Sequence, residues 1–462
     1  MVPAVNSSSG AKSKDKSKLI GRVNFPLCTI DVVSERHVFV AGGGGRAKTG
    51  VPNKMEILEI VPEDAGGFRA ETVASYDVGD VIMCSALCPI KDSRHLFLAV
   101  GKGGVCDLYR LSYTLQKQNN ATRNGTVLNH ASTNKIGDGG VRQRHVVQMA
   151  HQTKNLGNLG GQGDHNPAKD PSGCVGIGNG ATKLGFEIRA ESSFQSDFND
   201  KEDPFQRVVR FAPKKGILLT GGSDGYLRAW KSPAFTKQFE VKAHDGDIDD
   251  ITISIGEESV VSIGKDGRAI VWSFQGEKVM DLTAKLPVED KYGFRNARFG
   301  GIAEGNSGEC RLFATINPMM RRRPLKASYI VKWNPHKAFS TELLKVAGAD
   351  LFSAMAISDD GIFLATGRQS GCVEIFIAFS LERLYVCEKA HNVFVTGMAF
   401  LKSAGETCRL TQSDATLVSI SVDNLLKAHC IPPQSSMGVL GMICFFICFM
   451  VLVYIVLDLF GL

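Results

Sequence analysis

Between Leu19 and Ile431 the hydrophobic residues come in short, strand-like runs separated by turns rich in glycine and aspartate. Several segments repeat one theme: a strand ends in small residues, a Gly/Asp turn follows, and the next strand ends in a large residue. Leu218–Trp230 and Val260–Trp272 show this theme most clearly. Almost no segment before the C-terminal end has helical spacing. The pattern predicts an all-β protein built from repeated units.

The spacing of the repeats predicts their architecture. Trp230 and Trp272 lie 42 residues apart, and Trp333 and Phe376 lie 43 apart, which matches the four-stranded blade of a WD-repeat propeller. We therefore predict a WD40-like β-propeller over residues 19–431 with seven blades. Their first strands are expected to begin near Pro26, Val81, Phe205, Asp247, Phe294, Leu351 and Val393.

The predicted propeller has one unusual closure and one insertion. The last blade has only three strands, ending with Leu425–Ile431, so we expect Leu19–Phe25 to supply the fourth strand and close the ring. Residues 119–183 contain no Phe, Tyr or Trp and cannot bury a core. We predict that they form a low-complexity insertion between the third and fourth strands of blade two. The insertion's four histidines, which lack tight metal-ligand spacing, are His130, His145, His151 and His165.

The two ends of the chain differ from the middle. Residues 1–18 are rich in serine and lysine and predict a disordered basic tail. Val439–Leu457 is 19 residues without a charge, inside Met437–Leu462, whose only charged side chain is Asp458. This run is long enough to span a bilayer, with a buried core helix as the alternative. Lysine and arginine lie only upstream of it, so we expect a C-terminal transmembrane anchor at 437–462 and a cytosolic propeller.

Charge and cysteine usage narrow the function classes. Of the net charge of +6, the segment Lys12–Arg22 supplies +4, so the remaining chain is close to neutral. A nucleic-acid-binding domain would carry a basic face, and no nucleic-acid partner is expected. The twelve cysteines form no CxxC pair. With no signal peptide at the N-terminus, they fit a reduced, cytosolic setting.

The segment Ala41–Lys54, which we call the glycine loop, joins two strand-like runs and is far longer than a hairpin needs. Its four consecutive glycines are costly to order, so we expect a loop that binds something. A phosphate-binding P-loop is disfavoured because a strand rather than a helix follows. Pro52 fixes the backbone, Asn53 offers an amide oxygen, and the glycines let carbonyls converge. Such oxygens favour a weakly charged hard cation.

Two other motifs have ordinary explanations. Gly221–Gly225 matches the G-x-S-x-G pattern of a nucleophile elbow, but the elbow needs a helix after the serine and a strand follows. The basic run Arg321–Arg323 beside Met319 and Met320 is typical of a solvated loop, although a partner contact stays open there.

The glycine loop carries a specific resemblance. Ala41–Gly45 followed by Gly50–Lys54 resembles the hallmark loop of the prolactin regulatory element-binding protein family. These are endoplasmic-reticulum WD-repeat exchange factors for the small GTPase of the COPII coat. The resemblance implies that the loop holds a potassium ion through Asn53 and backbone carbonyls and inserts against the switch regions of the GTPase. The spacer Arg46–Thr49 and the long insertion depart from it.

The resemblance also assigns roles to individual residues. The residues implied in exchange itself are Gly50, Val51, Pro52 and Asn53. Those implied in binding the GTPase are Gly42, Gly43, Gly44, Gly45, Thr49 and Lys54. The expected function is guanine nucleotide exchange at the endoplasmic-reticulum membrane, starting transport to the Golgi, without covalent chemistry by the propeller. The alternative is a non-catalytic, membrane-anchored WD-repeat scaffold.

Overall fold

The computed structural model describes residues 17–47, 50–64, 66–90, 95–117, 182–302, 309–320, 323–403, 405–433 and 439–459. In this part of the chain, 28 strands form seven four-stranded antiparallel sheets. The chain divides into two compact units, residues 1–114 with 185–462, and residues 115–184. The second unit lies almost wholly outside the described residues. The predicted all-β, seven-bladed propeller is confirmed.

The strands follow the chain blade by blade, from the centre of the ring to its rim. Strand β1 (Lys18–Arg22) comes first and belongs to the last blade. Blade one is β2 (Leu27–Val32), β3 (His37–Gly42), β4 (Lys54–Pro62) and β5 (Phe68–Asp77). Blade two is β6 (Ile82–Pro89), β7 (His95–Lys102), β8 (Val105–Lys117) and β9 (Thr182–Gln195). Blade three is β10 (Gln206–Ala212), β11 (Ile217–Gly222), β12 (Tyr226–Lys231) and β13 (Thr236–Lys242).

The remaining blades repeat this order. Blade four is β14 (Ile248–Ile253), β15 (Val260–Gly264), β16 (Ala269–Trp272) and β17 (Lys278–Asp281). Blade five is β18 (Tyr292–Gly301), β19 (Cys310–Pro318), β20 (Tyr329–Asn334) and β21 (Ser340–Val346), with a 3₁₀ turn at Pro335–Lys337. Blade six is β22 (Phe352–Ile357), β23 (Phe363–Arg368), β24 (Val373–Ile377) and β25 (Arg383–Cys387). Blade seven is β26 (Val395–Phe400), β27 (Ala415–Ser421), β28 (Leu425–Ile431) and β1.

The burial of each strand follows its place in the ring. The first strands of successive blades contact one another around a closed circle, from β2 through β6, β10, β14, β18 and β22 to β26 and back to β2. The second strand β11 is buried at every position, whereas the fourth strand β13 is mostly exposed. The hydrophobic core therefore lies between blades, where the inner strands pack face to face.

The predicted ring closure is confirmed, over Lys18–Arg22 rather than Leu19–Phe25. Strand β1 pairs antiparallel with β28. Ile20 is 3% exposed and packs in a core cluster with Leu426, whereas the neighbouring Leu19 is 50% exposed. This pairing gives β28 a neighbour on its outer side and ties the two ends of the propeller together.

Buried polar chains fix two of the blades. In blade four, His244 Nδ1 lies 3.0 Å from Asp266 Oδ1, and Nε2 lies 2.8 Å from Ser262 Oγ, to which Trp272 Nε1 donates. His391 makes the equivalent contacts in blade seven with Asp423 and Ser419. Burial lowers the pKa of both histidines, although each aspartate opposes this shift. The histidines are therefore held as neutral imidazoles that bridge a turn to a strand.

The predicted segments outside the blades have different outcomes. Strands β8 and β9 flank the predicted insertion as third and fourth strands, while residues 118–181, including all four of its histidines, lie outside the described residues. A short helix α1 (Glu406–Thr411) precedes β27, and helix α2 covers Val439–Leu459. None of the helices, as far as the described residues go, is long and apolar enough to cross a membrane. The predicted transmembrane anchor therefore has no support from the structure.

The closure can be tested by two substitutions at neighbouring positions. Ile20→Ala should lower the free energy of unfolding by about 2–4 kcal/mol because it leaves a cavity in a packed core. Leu19→Ala, the matched control, should change it by less than about 0.5 kcal/mol because its side chain is exposed. Equilibrium denaturation measures both. Equal effects would contradict the assigned register of β1.

Candidate functional site: the glycine loop

The glycine loop connects the second and third strands of blade one. Gly42, the last residue of β3, pairs with Lys54, the first residue of β4. Because a strand follows the loop directly, the P-loop alternative is excluded, as predicted. Lys48 and Thr49 lie outside the described residues, so the structure says nothing of the binding role predicted for Thr49.

Two backbone contacts anchor the ends of the loop to its surroundings. The amide of Gly43 donates to Pro26 O at 3.0 Å, just before β2. At the other end, the amide of Val78 donates to Asn53 O at 2.9 Å, just after β5. The first and last strands of blade one therefore hold the loop from opposite sides.

The side chain of Asn53 closes the loop on itself. Its Oδ1 accepts from the amide of Gly45 at 2.9 Å, and its Nδ2 donates to Gly45 O at 3.0 Å. We call this pair of bonds the Asn53–Gly45 clasp. The sequence predicted Asn53 as an oxygen ligand, and the clasp shows that one acceptor site of this oxygen is occupied by protein. A carbonyl oxygen has two lone pairs, so Oδ1 has the capacity to accept a second contact.

Glycine is required at several positions of the loop, either because a side chain would collide with a neighbouring residue or because φ is positive. A Cβ on Gly43, whose φ is +147°, would stand 2.1 Å from Asn53 Oδ1, and one on Gly42 would stand 2.0 Å from Pro26 O. Gly45 and Gly50 have φ of +76° and +80°, in the left-handed region that favours glycine. Gly44 lies between the two constrained positions. The run of glycines thus lets the chain pass close to the asparagine that clasps it.

Arg46, in the spacer of the loop, makes a contact that sequence reasoning missed. Its Nε lies 2.7 Å from Asp80 Oδ2, and Asp80 Oδ1 also accepts from the amide of Val81. The arginine is 76% exposed and the aspartate 13%, so solvent screens the pair and it adds little to stability. The pair holds Arg46 against the start of blade two. The available signal was Asp80 directly before the predicted strand at Val81.

The outer part of the loop presents few side chains. Val51 is 37% exposed and Gly50 is exposed, while Pro52 and Asn53 are partly buried. Lys54 Nζ lies 3.7 Å from Asp77 Oδ1, so its charge is partly satisfied within the blade. Of the described loop residues predicted to act on a partner, Val51 is the one whose apolar side chain points to solvent. Val51 is therefore an exposed apolar side chain two residues before the asparagine of the clasp.

The oxygens of the loop are neutral. Asn53 Oδ1 and the carbonyls of the glycines carry no formal charge, and the nearby carboxylate of Asp80 is engaged by Arg46. Among the described residues, no group of three or more His, Cys, Asp or Glu side chains could hold a metal ion. This donor set fits a monovalent cation better than calcium, which prefers carboxylates.

Two competing sites are weaker. Gly221–Gly225 leads into strand β12 rather than a helix, so the nucleophile-elbow alternative is excluded, as predicted.

A central channel of about 710 Å³ is lined by the first strands. In its wall, Asp249 is paired with Arg207 and Arg295. These charges satisfy one another and hold blades three to five together.

A deeper group of charges repeats that arrangement in the channel wall. Asp250 is paired with Arg210 and Arg298, so the same three blades are joined a second time. Nearby, burial raises the pKa of Asp31 to about 6, against the effect of its hydrogen bond with Ser85. The arginine–aspartate pairs in the channel wall therefore join neighbouring blades.

The chain is similar to known proteins over most of its length. No protein-family model matches the chain. The guanine nucleotide-exchange factor SEC12 of Mus musculus is 29% identical over 427 residues, which cover 90% of this chain and 91% of that protein. The protein of the same name from Rattus norvegicus gives the same values. SEC12-like protein 2 of Arabidopsis thaliana is 26% identical over 220 residues, covering 47% of this chain and 50% of that protein.

Among solved structures, the WD40 β-propeller domain of Doa1 aligns with a TM-score of 0.49 at 10% identity, covering 89% of this chain and 94% of that one. That likeness adds nothing to the topology described above. The two mammalian alignments extend over nearly the whole of both proteins. The resemblance predicted from the glycine loop is thus confirmed, and this chain is similar over nine-tenths of its length to the SEC12 guanine nucleotide-exchange factors.

Proposed function

We propose that this chain is a guanine nucleotide-exchange factor for the small GTPase of the COPII coat and that the glycine loop is its exchange element. The observation that carries the proposal is the Asn53–Gly45 clasp, which holds an otherwise flexible loop in one conformation with Val51 exposed. The similarity to SEC12 exchange factors supports the same function. The propeller makes and breaks no covalent bond in this reaction.

The mechanism follows from differential binding. Nucleotide and magnesium hold the switch regions of a small GTPase in place. An exchange factor speeds GDP release only if it binds the open-switch or nucleotide-free state more tightly than the closed state. A pre-ordered loop loses little conformational entropy on contact, so more of its binding free energy is available for opening the switches. Val51 supplies the apolar contact, and Pro52 and Gly50 set its position.

A potassium ion is the second part of the proposal. The free lone pair of Asn53 Oδ1 and the carbonyls of Gly42, Gly43 and Gly44 would hold it. A bound ion would add rigidity to the clasp and would not take part in any bond-making step. Neutral oxygens at a glycine-rich turn are the donor set that such an ion prefers.

Location is the third part and rests on sequence alone. We propose that Met437–Leu462 anchors the chain in the endoplasmic-reticulum membrane with the propeller in the cytosol, which would confine exchange to that membrane. The full chain should stay with membranes after alkaline carbonate extraction, and a variant ending at residue 433 should be released. Release of both would contradict the anchor.

The central test is the substitution Asn53→Ala. It removes both bonds of the clasp, so we expect release of labelled GDP from the COPII small GTPase to slow at least tenfold. The free energy of unfolding should change by no more than about 2 kcal/mol, because the two bonds of the clasp are lost but no core side chain is. The matched control is Asn392→Ala, an exposed asparagine in the link before β26, which should behave as wild type.

The outcomes of this assay separate the competing functions. If Asn53→Ala speeds GDP release as much as the wild-type chain does, the clasp does not order the exchange element. A wild-type chain that binds the GTPase without speeding GDP release would favour the scaffold. Run in potassium, sodium and lithium salts at equal ionic strength, the wild-type assay should be fastest in potassium. Indifference to the cation would contradict the ordered ion.

A further inference from the structure

A second candidate contact lies on the same face of the propeller as the glycine loop. The segment 196–205, which we call the blade 2–3 link, follows the fourth strand of blade two. Strands alternate in direction, so links after fourth strands and turns after second strands emerge on one face. The amides of Ser196 and Asp197 both donate to Gly104 O, in the turn after the second strand of blade two. The link therefore shares its face with the glycine loop.

Phe198 in this link is exposed but rigidly supported. Its ring is 51% exposed and lies 4.9 Å from Arg228 Cζ, while Tyr226 lies 5.0 Å from the same atom. The amide of Phe198 donates to Asp224 Oδ2 at 3.0 Å. Exposed aromatic rings that are fixed before binding are typical of the strongest contacts in protein interfaces, because little entropy is lost when they are covered.

The support beneath Phe198 is a buried ion-pair network. Arg228 is 2% exposed and its guanidinium bonds to Asp224 and Glu240, each at 2.6 Å, and to Ser196 O at 3.0 Å. The arginine thus ties the link to strands β12 and β13. These contacts fix the arginine that the ring rests on. Lys237 Nζ also lies 5.8 Å from the centroid of the ring, and about half of Phe198 stays exposed.

The link is continuous with the glycine loop. The position that a Cβ of Gly103 would take is 3.0 Å from Arg46 Nη2 and 3.9 Å from Pro204 O. Asp80 first, and Asp203 of the link after it, raise the pKa of Arg46. Arg46 therefore reaches from the glycine loop toward the C-terminal end of the link, and a partner seated on the loop meets the link next.

The surroundings of Phe198 define the chemistry of a partner. Beside the ring is an open cleft of about 700 Å³. Its acidic lining residues are Asp200, Glu202, Asp224, Glu240, Asp245 and Asp247, and its basic ones are Lys201, Arg228, Lys237 and Lys242. Six carboxylates and four cations line the cleft, and Asp247 is also paired with Lys265 outside it. The small acidic excess that remains is complementary to an apolar side chain beside a basic residue.

We propose that Phe198 and the adjoining cleft are a second docking site for the same small GTPase that the glycine loop engages. This inference rests on the proposed function and deepens it. The glycine loop would act on the switch regions, and the Phe198 site would add affinity and set the orientation of the GTPase.

The molecule provides a matched control for the test. Phe379 is 79% exposed and its ring lies 4.9 Å from Lys332 Nζ, so it is also an exposed ring over a cation. It lies in the turn between β24 and β25, after a third strand, and therefore on the opposite face. Phe198→Ala and Phe379→Ala remove the same atoms in the same kind of environment.

The experiment measures GDP release from the small GTPase as a function of exchange-factor concentration. Phe198→Ala should raise the concentration for half-maximal release on the order of tenfold, with the maximal rate kept because the clasp is intact. Phe379→Ala should match the wild type. Glu202→Lys, which reverses a charge without touching Arg228, should also raise the half-maximal concentration.

The outcomes distinguish this site from the proposed function. If the wild type speeds release and Phe198→Ala has the same half-maximal concentration, the docking site is wrong and the exchange function stands. If Phe198→Ala raises the half-maximal concentration but also lowers the thermal stability of the chain, the ring only shields Arg228, and the docking site is wrong. A wild type without exchange activity would overturn both proposals. Self-association that Phe198→Ala abolishes, with exchange unchanged, would assign the surface to a second copy instead.

Discussion

The two hydrogen bonds between the Asn53 side chain and the Gly45 backbone are the constraint on which the proposed function depends. Each bond contributes about 1 kcal/mol, which is modest against the entropy of ordering a glycine-rich loop. The clasp is therefore effective only with its anchors, the bonds of the loop ends to Pro26 O and to the amide of Val78. A cation on the remaining lone pair would strengthen the same conformation. Together these contacts offset the entropy cost of ordering the glycine loop and hold it in one conformation.

The propeller gives the clasp a rigid frame. The loop ends are the paired residues Gly42 and Lys54, so their separation is set by strand pairing. Blade one lies next to blade seven, which is completed by β1. Loss of that closure would loosen the blade beside the loop. The proposed function thus depends on the order of the strands as well as on the residues of the loop.

Much of the fold could be predicted because it repeats. The seven first strands begin within two residues of the predicted positions, since each repeat carries its own turn. The contacts of the site could not be predicted in the same way. The pair of Arg46 with Asp80 and the platform of Arg228 beneath Phe198 join residues whose separation along the chain follows no period. The sequence predicted Asn53 as a cation ligand and as a residue of exchange, but not as the hydrogen-bond partner of Gly45. The φ values at glycines, which bring Gly45 to this side chain, are not encoded locally.

Amide hydrogen exchange at Gly45 tests the central claim most directly. In the wild-type chain the Gly45 amide should be protected, because it donates to Asn53 Oδ1, and the protection should be greater in potassium than in lithium. In Asn53→Ala the protection should disappear, while amides within β3 and β4 keep their wild-type rates. A Gly45 amide that exchanges at the unprotected rate in the wild-type chain would contradict the account, because the loop would then have no clasp to order it.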